Sequence, residues 1–415
     1  MINNYLKITL KVLMRNKLFT VISLFGISLT LTILIIGASF YDFTFKSNYP
    51  VLKQSRILYL SQVKLYDKKY GPRSYKTFYS GQPSYFLLKK CALPLTTPER
   101  VSIYSNFKNI NSFINSRKAK LVVRYTDNNY WDILDFNLIA GRTYNKNESE
   151  SAQHVAVIAE SIADNYYGDP QSAIGKNLEA DKINFKIIGV VENVPITSIL
   201  SAYANIWVPV TSIKEDLSSK ELHGNFNAMV LAKNRSDFPI IKDEFQRQLK
   251  ISDLPMGIYK FIEIYPDSFL EMFIRLLQIS ISTFYFILTI IIFIIILIPS
   301  LNLINLSVNR ISERISEIGI RKSFGANKIY LLGQFLIENI ILTLIGGIIA
   351  IVFSIIFFIV INNTDLIPLD GLYINYRILL VGLFYCFCFG LISGFLPAYK
   401  MSHLPIVESL KHFEA

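Results

Sequence analysis

Histidine and cysteine are both scarce here, four of the one and three of the other in 415 residues. Three cysteines cannot build a disulfide framework. Cys91 stands alone, while Cys386 and Cys388 are two apart in an apolar run, a spacing that aims them in different directions on a helix and prevents shared chelation. His154, His223, His403 and His412 are scattered without metal-ligand spacing, and no Ser-His-Asp set or carboxylate pair stands out. A phosphate-binding loop is also missing. Gly175-Lys176 lacks the earlier glycine and the following hydroxyl residue of G-x-x-x-x-G-K-[ST]. The chain itself is therefore expected to be no enzyme and to hold no cofactor. Charge is thin as well: 18% of residues, where a soluble domain has about a quarter.

Apolar residues fill the gap, at 52%. They gather in four blocks, Leu18–Phe40, Ile279–Leu301, Tyr330–Ile361 and Ile378–Leu396. Each reaches roughly the 20 residues that carry a helix across about 30 Å of hydrocarbon, and the third is long enough for its first turns to lie at the interface. The first block is longer than the apolar core of a signal peptide and has no clean A-x-A site, so it reads as an uncleaved anchor. The polar remainder lies mostly between Asp42 and Leu270. The expected fold is an α-helical membrane protein with four transmembrane helices plus a large extracytoplasmic α+β domain between helices 1 and 2.

Basic residues in short flanks set the orientation. Lys7, Lys11, Arg15 and Lys17 precede the first block with no acid among residues 1–17. Arg310, Arg314, Arg321, Lys322 and Lys328 lie between the second and third blocks, and Lys400 and Lys411 follow the fourth. Asn362–Tyr376 carries Asp365 and Asp370 but no Lys or Arg. Both termini are thus expected to be cytoplasmic. The resulting division is 1–17 cytoplasmic N-terminus, 18–40 first transmembrane helix, 41–270 outer domain, 271–302 stalk and second helix, 303–329 cytoplasmic loop, 330–361 third helix, 362–377 short outer loop, 378–397 fourth helix and 398–415 cytoplasmic tail. The net charge of +11 reads as cytoplasmic anchoring charge plus scattered lysines rather than a nucleic-acid surface.

Within the outer segment, LVVRY (Leu121–Tyr125), HVAVIA (His154–Ala159) and NFKIIGVV (Asn184–Val191) read as strands. Tyr130, Ile133, Leu134 and Leu138 predict a short helix entered through Thr126 or Asp127 and ending before Gly141. Another is predicted over Glu160–Tyr167, stopped by Gly168-Asp-Pro. Lys214–His223 suits a surface helix or a loop. Phe269, Phe273, Leu276 and Leu277 predict a helix from Phe261 to Gln278 that runs straight into the second block as a stalk. The many Tyr and Phe read as core rather than ligand surface.

RISERISEIGIRKSFGAN, Arg310–Asn327, interrupts the most lipid-like part of the chain. Ile311, Ile315 and Ile318 share a helical face. Glu317 and Arg321 are four apart in the favourable order, and Gly325 suits a helix end. The pattern alone fits an amphipathic helix along the membrane surface. Downstream, Glu338 is an ionisable group near a helix entry, by default functional, with an interfacial role and a role in movement both open. Gly346-Gly347 suits a close helix approach or a packing kink.

EIGIRKSFGANKIYLLGQFLIEN, Glu317–Asn339, resembles the signature of the FtsX/MacB superfamily of ABC transporter permeases. LPAYKMSHLPIVESLK, Leu396–Lys411, is similar to that family's ending, and NKLFTVISLFGISLTLTILI, Asn16–Ile35, to its first helix. TDNNYWDILDFNLIAGRTY, VAVIAESIADNYYGDPQSAIGKNL and KIIGVVENVP resemble the periplasmic core domain of its macrolide-exporter branch, while Val51–Lys120 matches least. The resemblance implies a type VII permease subunit in the bacterial inner membrane that works by mechanotransmission. A separate ABC ATPase, two copies per complex, would bind ATP-Mg. A second permease copy or homologue would complete a dimer, and the exporter branch adds a periplasmic adaptor and an outer-membrane channel. By the same resemblance the ATPase-coupling positions are Glu313, Arg314, Glu317, Gly319, Arg321, Lys322, Gly325 and Ala326. The expected cargo is a peptide, drug or lipid-linked molecule. An FtsX-like activator of a cell-wall hydrolase, a lipoprotein-releasing permease and a receptor with an outer ligand-binding domain are the alternatives.

Overall fold

The computed structural model describes residues 17–66, 77–114, 117–198, 200–294, 297, 323 and 328–363, with single positions at 377, 380, 384, 388, 391, 395 and 399. The chain divides into one unit of Thr44–Phe284 and another made of Met1–Phe43 and Tyr285–Ala415.

Helix α1 covers Lys17–Phe45, and strands β1 (Ile57–Leu60), β2 (Val63–Tyr66) and β3 (Thr77–Gly81) follow. Next come α2 (Tyr85–Cys91), β4 (Arg100–Ser105), β5 (Lys108–Ile114), β6 (Arg117–Thr126), α3 (Asn129–Ile133), β7 (Leu138–Gly141) and α4 (Lys146–Glu150). Strand β8 (Val155–Ala159), helices α5 (Glu160–Tyr167) and α6 (Pro170–Ala173), and strands β9 (Asn177–Ala180), β10 (Ile183–Val191), β11 (Ile206–Pro209) and β12 (Phe226–Leu231) continue the larger unit. It closes with α7 (Phe238–Ile251), β13 (Phe261–Ile264) and α8 (Phe269–Leu276). Helix α9 (Ile281–Ile294) and the long α10 (Lys328–Asn362) complete the described elements.

A ten-stranded sheet runs in the order β1-β12-β4-β6-β11-β8-β10-β7, with β5 added to β6 and β9 to β10. Two of its pairings, β8 with β10 and β6 with β11, are parallel. Strands β1, β12, β11 and β8 are buried along their whole length, whereas β7 and β9 keep exposed positions. In β8, Val155 and Val157 pack into one core while Ala156 and Ile158 pack into the other, as the two-residue period of a strand requires. That double burial explains why these strands appear in the sequence as unbroken apolar runs. A separate three-stranded sheet, β13-β2-β3, lies beside it in chain connectivity.

Many aromatic residues of the larger unit, among them Tyr59, Tyr104, Tyr130 and Trp207, are core, while Phe261 and Tyr265 are exposed. Arg124, fully buried, donates from Nη2 and Nε to the carbonyl of Tyr203 at 3.3 and 3.4 Å. The Tyr130 hydroxyl donates to the carbonyl of Ser201 at 3.0 Å and Trp207 Nε1 to that of Ala202 at 3.2 Å. Three consecutive carbonyls are thus satisfied by side chains of the aromatic core, which lets an irregular segment lie buried without orphaned acceptors.

Three expectations need correction or completion. Helix α3 ends at Ile133, and Leu138–Gly141 is a strand, because Ala140 pairs with Val190 of β10. Phe261–Ile264 is a strand paired with Tyr66–Val63 rather than the start of a stalk helix. Helix α8 then stops at Leu276, and Gln278 takes the left-handed conformation at φ 59°, so the helix does not run straight into the apolar block. Lys214–His223 resolves as loop and turn.

Among the described residues, Thr20–Phe45 and Leu336–Asn362 are long and apolar enough to cross a membrane. Helices α8 and α9 would add a third span only if the broken pair counted as one. The block Ile378–Leu396 falls mostly outside the described residues.

Candidate functional site

The positions assigned to ATPase coupling, Glu313, Arg314, Glu317, Gly319, Arg321, Lys322, Gly325 and Ala326, lie outside the described residues. Glu338 does not. It sits on α10 and is 4% exposed, beside Asn339 at 4%, which lies one turn before the fully buried Thr343. Further along, Thr32 Oγ1 of α1 donates to the Ala350 carbonyl of α10 at 3.3 Å. Gly346, the first of the two adjacent glycines, approaches Ile27 of α1 closely.

A second constellation surrounds α8 inside the larger unit. Ser268 starts the helix with a capping box, accepting from the Glu271 amide while the Glu271 carboxylate accepts from the Ser268 amide at 2.7 Å. Such a box satisfies two amides that a helix start otherwise leaves orphaned. Asp267, one residue earlier, exchanges both backbone hydrogen bonds with Tyr59 of β1, at 2.7 and 2.9 Å. The approach to α8 is thereby fixed to an edge strand of the large sheet.

Side chains add further ties. Arg275 Nε and Nη2 donate to the two oxygens of Asp267 at 2.5 and 2.9 Å, linking the last turn of α8 back to its entry. The same guanidinium stacks 4.8 Å from the ring centre of Tyr265. Lys242 of α7 donates to both oxygens of Glu271 at 2.9 and 3.2 Å. Gln246, one turn on, donates to the Ile264 carbonyl at 2.8 Å. Phe45 packs edge-on against Phe269 and Phe273, at 5.9 and 5.4 Å between centres, and Phe269 also meets Tyr59. Met272 and Ile274 are buried.

The electrostatics follow the geometry. Burial pushes the Asp267 carboxyl above its ordinary range, and Arg275 pulls it back only in part. Arg275 in turn holds its proton more tightly because of the bond to Asp267. Burial also opposes charge on Glu271, but the hydrogen bonds from Lys242 and from Ser268 outweigh it and keep the carboxyl low. Among the described residues no cluster of His, Cys, Asp or Glu has the geometry to hold a metal ion.

Sequence reasoning overlooked these residues. The signal was present in Ser268-x-x-Glu271, the pattern of a capping box ahead of an apolar run. It marks a helix start at Phe269, and so a break from the strand before it.

Residues 20–248 match the family model described as MacB-like periplasmic core domain. More than half of the chain lies in that span. The chain belongs to the MacB-like family. Residues 269–406 match a second model, FtsX-like permease C-terminal, and α8 opens that region. Among curated relatives, the uncharacterized ABC transporter permease YvrN of Bacillus subtilis is 25% identical over 305 residues, 69% of either chain. YknZ of the same organism is 25% identical over 318 residues, 75% of either chain. The macrolide export ATP-binding/permease protein MacB of Neisseria gonorrhoeae is 25% identical over 284 residues, 68% of this chain but 42% of that protein. Solved structures that resemble the chain include the extracellular domain of YknZ, at 15% identity, covering 46% of this chain and 92% of that one with a TM-score of 0.34. The periplasmic region of MacB from Actinobacillus actinomycetemcomitans is another, at 12% identity, 52% and 92% coverage and a TM-score of 0.35. This MacB-like chain is an ABC transporter permease of the MacB/FtsX type.

Proposed function

We propose that this permease works by mechanotransmission: a separate ATPase binds ATP-Mg on the cytoplasmic side and drives movement of the outer domain. The observation that carries the reading is the order of the two family spans, a periplasmic core domain over 20–248 followed by an FtsX-like permease region over 269–406. A membrane subunit with that order places its bulk outside and offers its 303–329 loop to the ATPase. Four transmembrane helices, two permease copies and two ATPases complete the working unit, with both termini in the cytoplasm. The cargo class is a peptide, drug or lipid-linked molecule moved outward, with a periplasmic adaptor and an outer-membrane channel as further partners.

Charge reversal tests the coupling. Arg321→Glu or Glu317→Lys is expected to abolish co-purification with the ATPase while leaving membrane insertion intact. Unchanged binding and hydrolysis would sink the assignment. Topology is checked by thiol labelling, with Asp370→Cys reached from outside and Lys322→Cys only from inside; the reverse pattern overturns the orientation. Pull-down from native membranes separates export from hydrolase activation. An adaptor and channel support the first, and a cell-wall hydrolase held by the outer domain supports the second.

A further inference from the structure

A pull arriving along the chain does work on the outer domain only if the element that receives it is held stiffly to that domain. Helix α8 is attached on several sides within the larger unit. Its entry is hydrogen-bonded to β1 through Asp267, its first turn to α7 through Glu271 and Lys242, and its last turn to its own entry through Arg275. One residue beyond, the character of the chain changes. Leu277 is 52% exposed, Gln278 is left-handed, and Ser280 starts a new helix by accepting the Thr283 amide at 3.1 Å. A left-handed non-glycine residue between two capped helices is a place where backbone direction changes without breaking either helix.

We propose that Asp267, Arg275, Lys242 and Glu271 form a clamp that makes α8 one body with the sheet and α7, so that motion arriving from α9 turns the chain at Leu277–Ser280 and is delivered to β1. The proposal rests on the mechanical reading above. It assigns the four side chains a positioning role: they touch no cargo, and they decide how much of the motion reaches the sheet. The backbone bonds between Asp267 and Tyr59 deliver it to one edge of the ten strands, and the Lys242–Glu271 pair delivers it to the helix packed behind them.

The Lys242–Glu271 pair is the better one to cut, because both side chains are about a third exposed and exposed pairs contribute little to folding. The experiment uses the full chain with its ATPase in lipid nanodiscs, with Asp164→Cys spin-labelled on the exposed face of α5 and distances between the two copies read with and without a trapped ATP state. Glu271→Gln is expected to reduce the ATP-dependent change about twofold or more while hydrolysis stays near the parental rate. A Lys242→Cys/Glu271→Cys chain, with the native cysteines replaced and the spin label carried by an unnatural amino acid at position 164, provides the rescue. Loss of the response before a short thiol cross-linker and recovery after it support the clamp. A merely structural role would lower the melting temperature and leave the response whole, and that result overturns the proposal. If the parental complex itself shows no ATP-dependent change, the mechanical reading fails, independently of the clamp.

Discussion

A Cβ placed on Gly346 would stand 2.7 Å from Cγ2 and 3.0 Å from Cβ of Ile27, so α1 and α10 meet where only glycine fits. Ile27, Leu31 and Ile35 of α1 pack there with Leu342 and Ala350 of α10. Between membrane helices such contact relies on close packing rather than on exclusion of water.

Gly346→Val is therefore expected to destabilise the helix pair by about 1–3 kcal/mol, the usual cost of overpacking. Unfolding of the detergent-solubilised chain measures it. Ile27→Ala should recover part of the loss when combined with Gly346→Val, because the two side chains compete for one space. Strict additivity would show that the helices do not meet at this pair.

Much of this fold was legible before any coordinates, and the parts that were not share a cause. The helix Glu160–Tyr167 was readable to the residue, because Gly168 supplies the left-handed turn at φ 96° that ends it. The strands at Leu121, His154 and Asn184 were readable from their apolar and β-branched residues, and Val155–Ala159 is buried at every position. Leu138–Gly141 and Phe261–Ile264 were misread. Each is a four-residue strand whose partner, β10 or β2, is distant in sequence, and pairing of that kind overrides local periodicity. The clamp residues were invisible as a group for a similar reason. Lys242 and Glu271 are 29 positions apart, and nothing in either neighbourhood announces the other. Glu338 stands out in the sequence as a charge in an apolar run, and in the fold it is 4% exposed.

Gly141 shows where a backbone tolerates no side chain. It takes φ +71°, and a Cβ there would fall 2.2 Å from the carbonyl oxygen of Ile188 and 3.0 Å from the Cα of Gly189. Both atoms belong to β10, which is held by β7, β8 and β9 and has no freedom to retreat. Gly141→Ala should cost more than about 3 kcal/mol, combining left-handed strain with a backbone clash. Gly168→Ala is the control, since Gly168 also has positive φ but nothing within 4 Å of its would-be Cβ. There only the strain of about 1–2 kcal/mol applies. Thermal unfolding with limited proteolysis ranks the two; equal losses would mean that the approach to β10 is not the constraint.

Arg142, the residue after Gly141, makes a two-bond ion pair with Glu148. Arg142 donates from Nη1 and Nη2 to the two oxygens of Glu148, each at 2.7 Å, and the Glu148 carboxylate also accepts the Asn145 amide at 3.0 Å. The hydrogen bond from Arg142 is the main reason that the Glu148 carboxyl lies below its ordinary 4.5. A carboxyl that holds its proton less tightly when folded contributes stability that is complete above its unfolded value and is lost as pH falls through the folded one. Glu148→Gln should accordingly destabilise the chain at neutral pH, within the range of about 1.5–3 kcal/mol for hydrogen bonds to charged groups. The low end is expected because Arg142 is 56% exposed and water competes for it. Below the ordinary carboxyl value the difference between parent and variant should shrink, because the parent is then protonated as well. Unfolding curves of both proteins from neutral to acid pH read this directly. A difference that stays constant through that range would mean that the charge on Glu148 adds nothing, and that its place at the start of α4 rests on shape and capping alone.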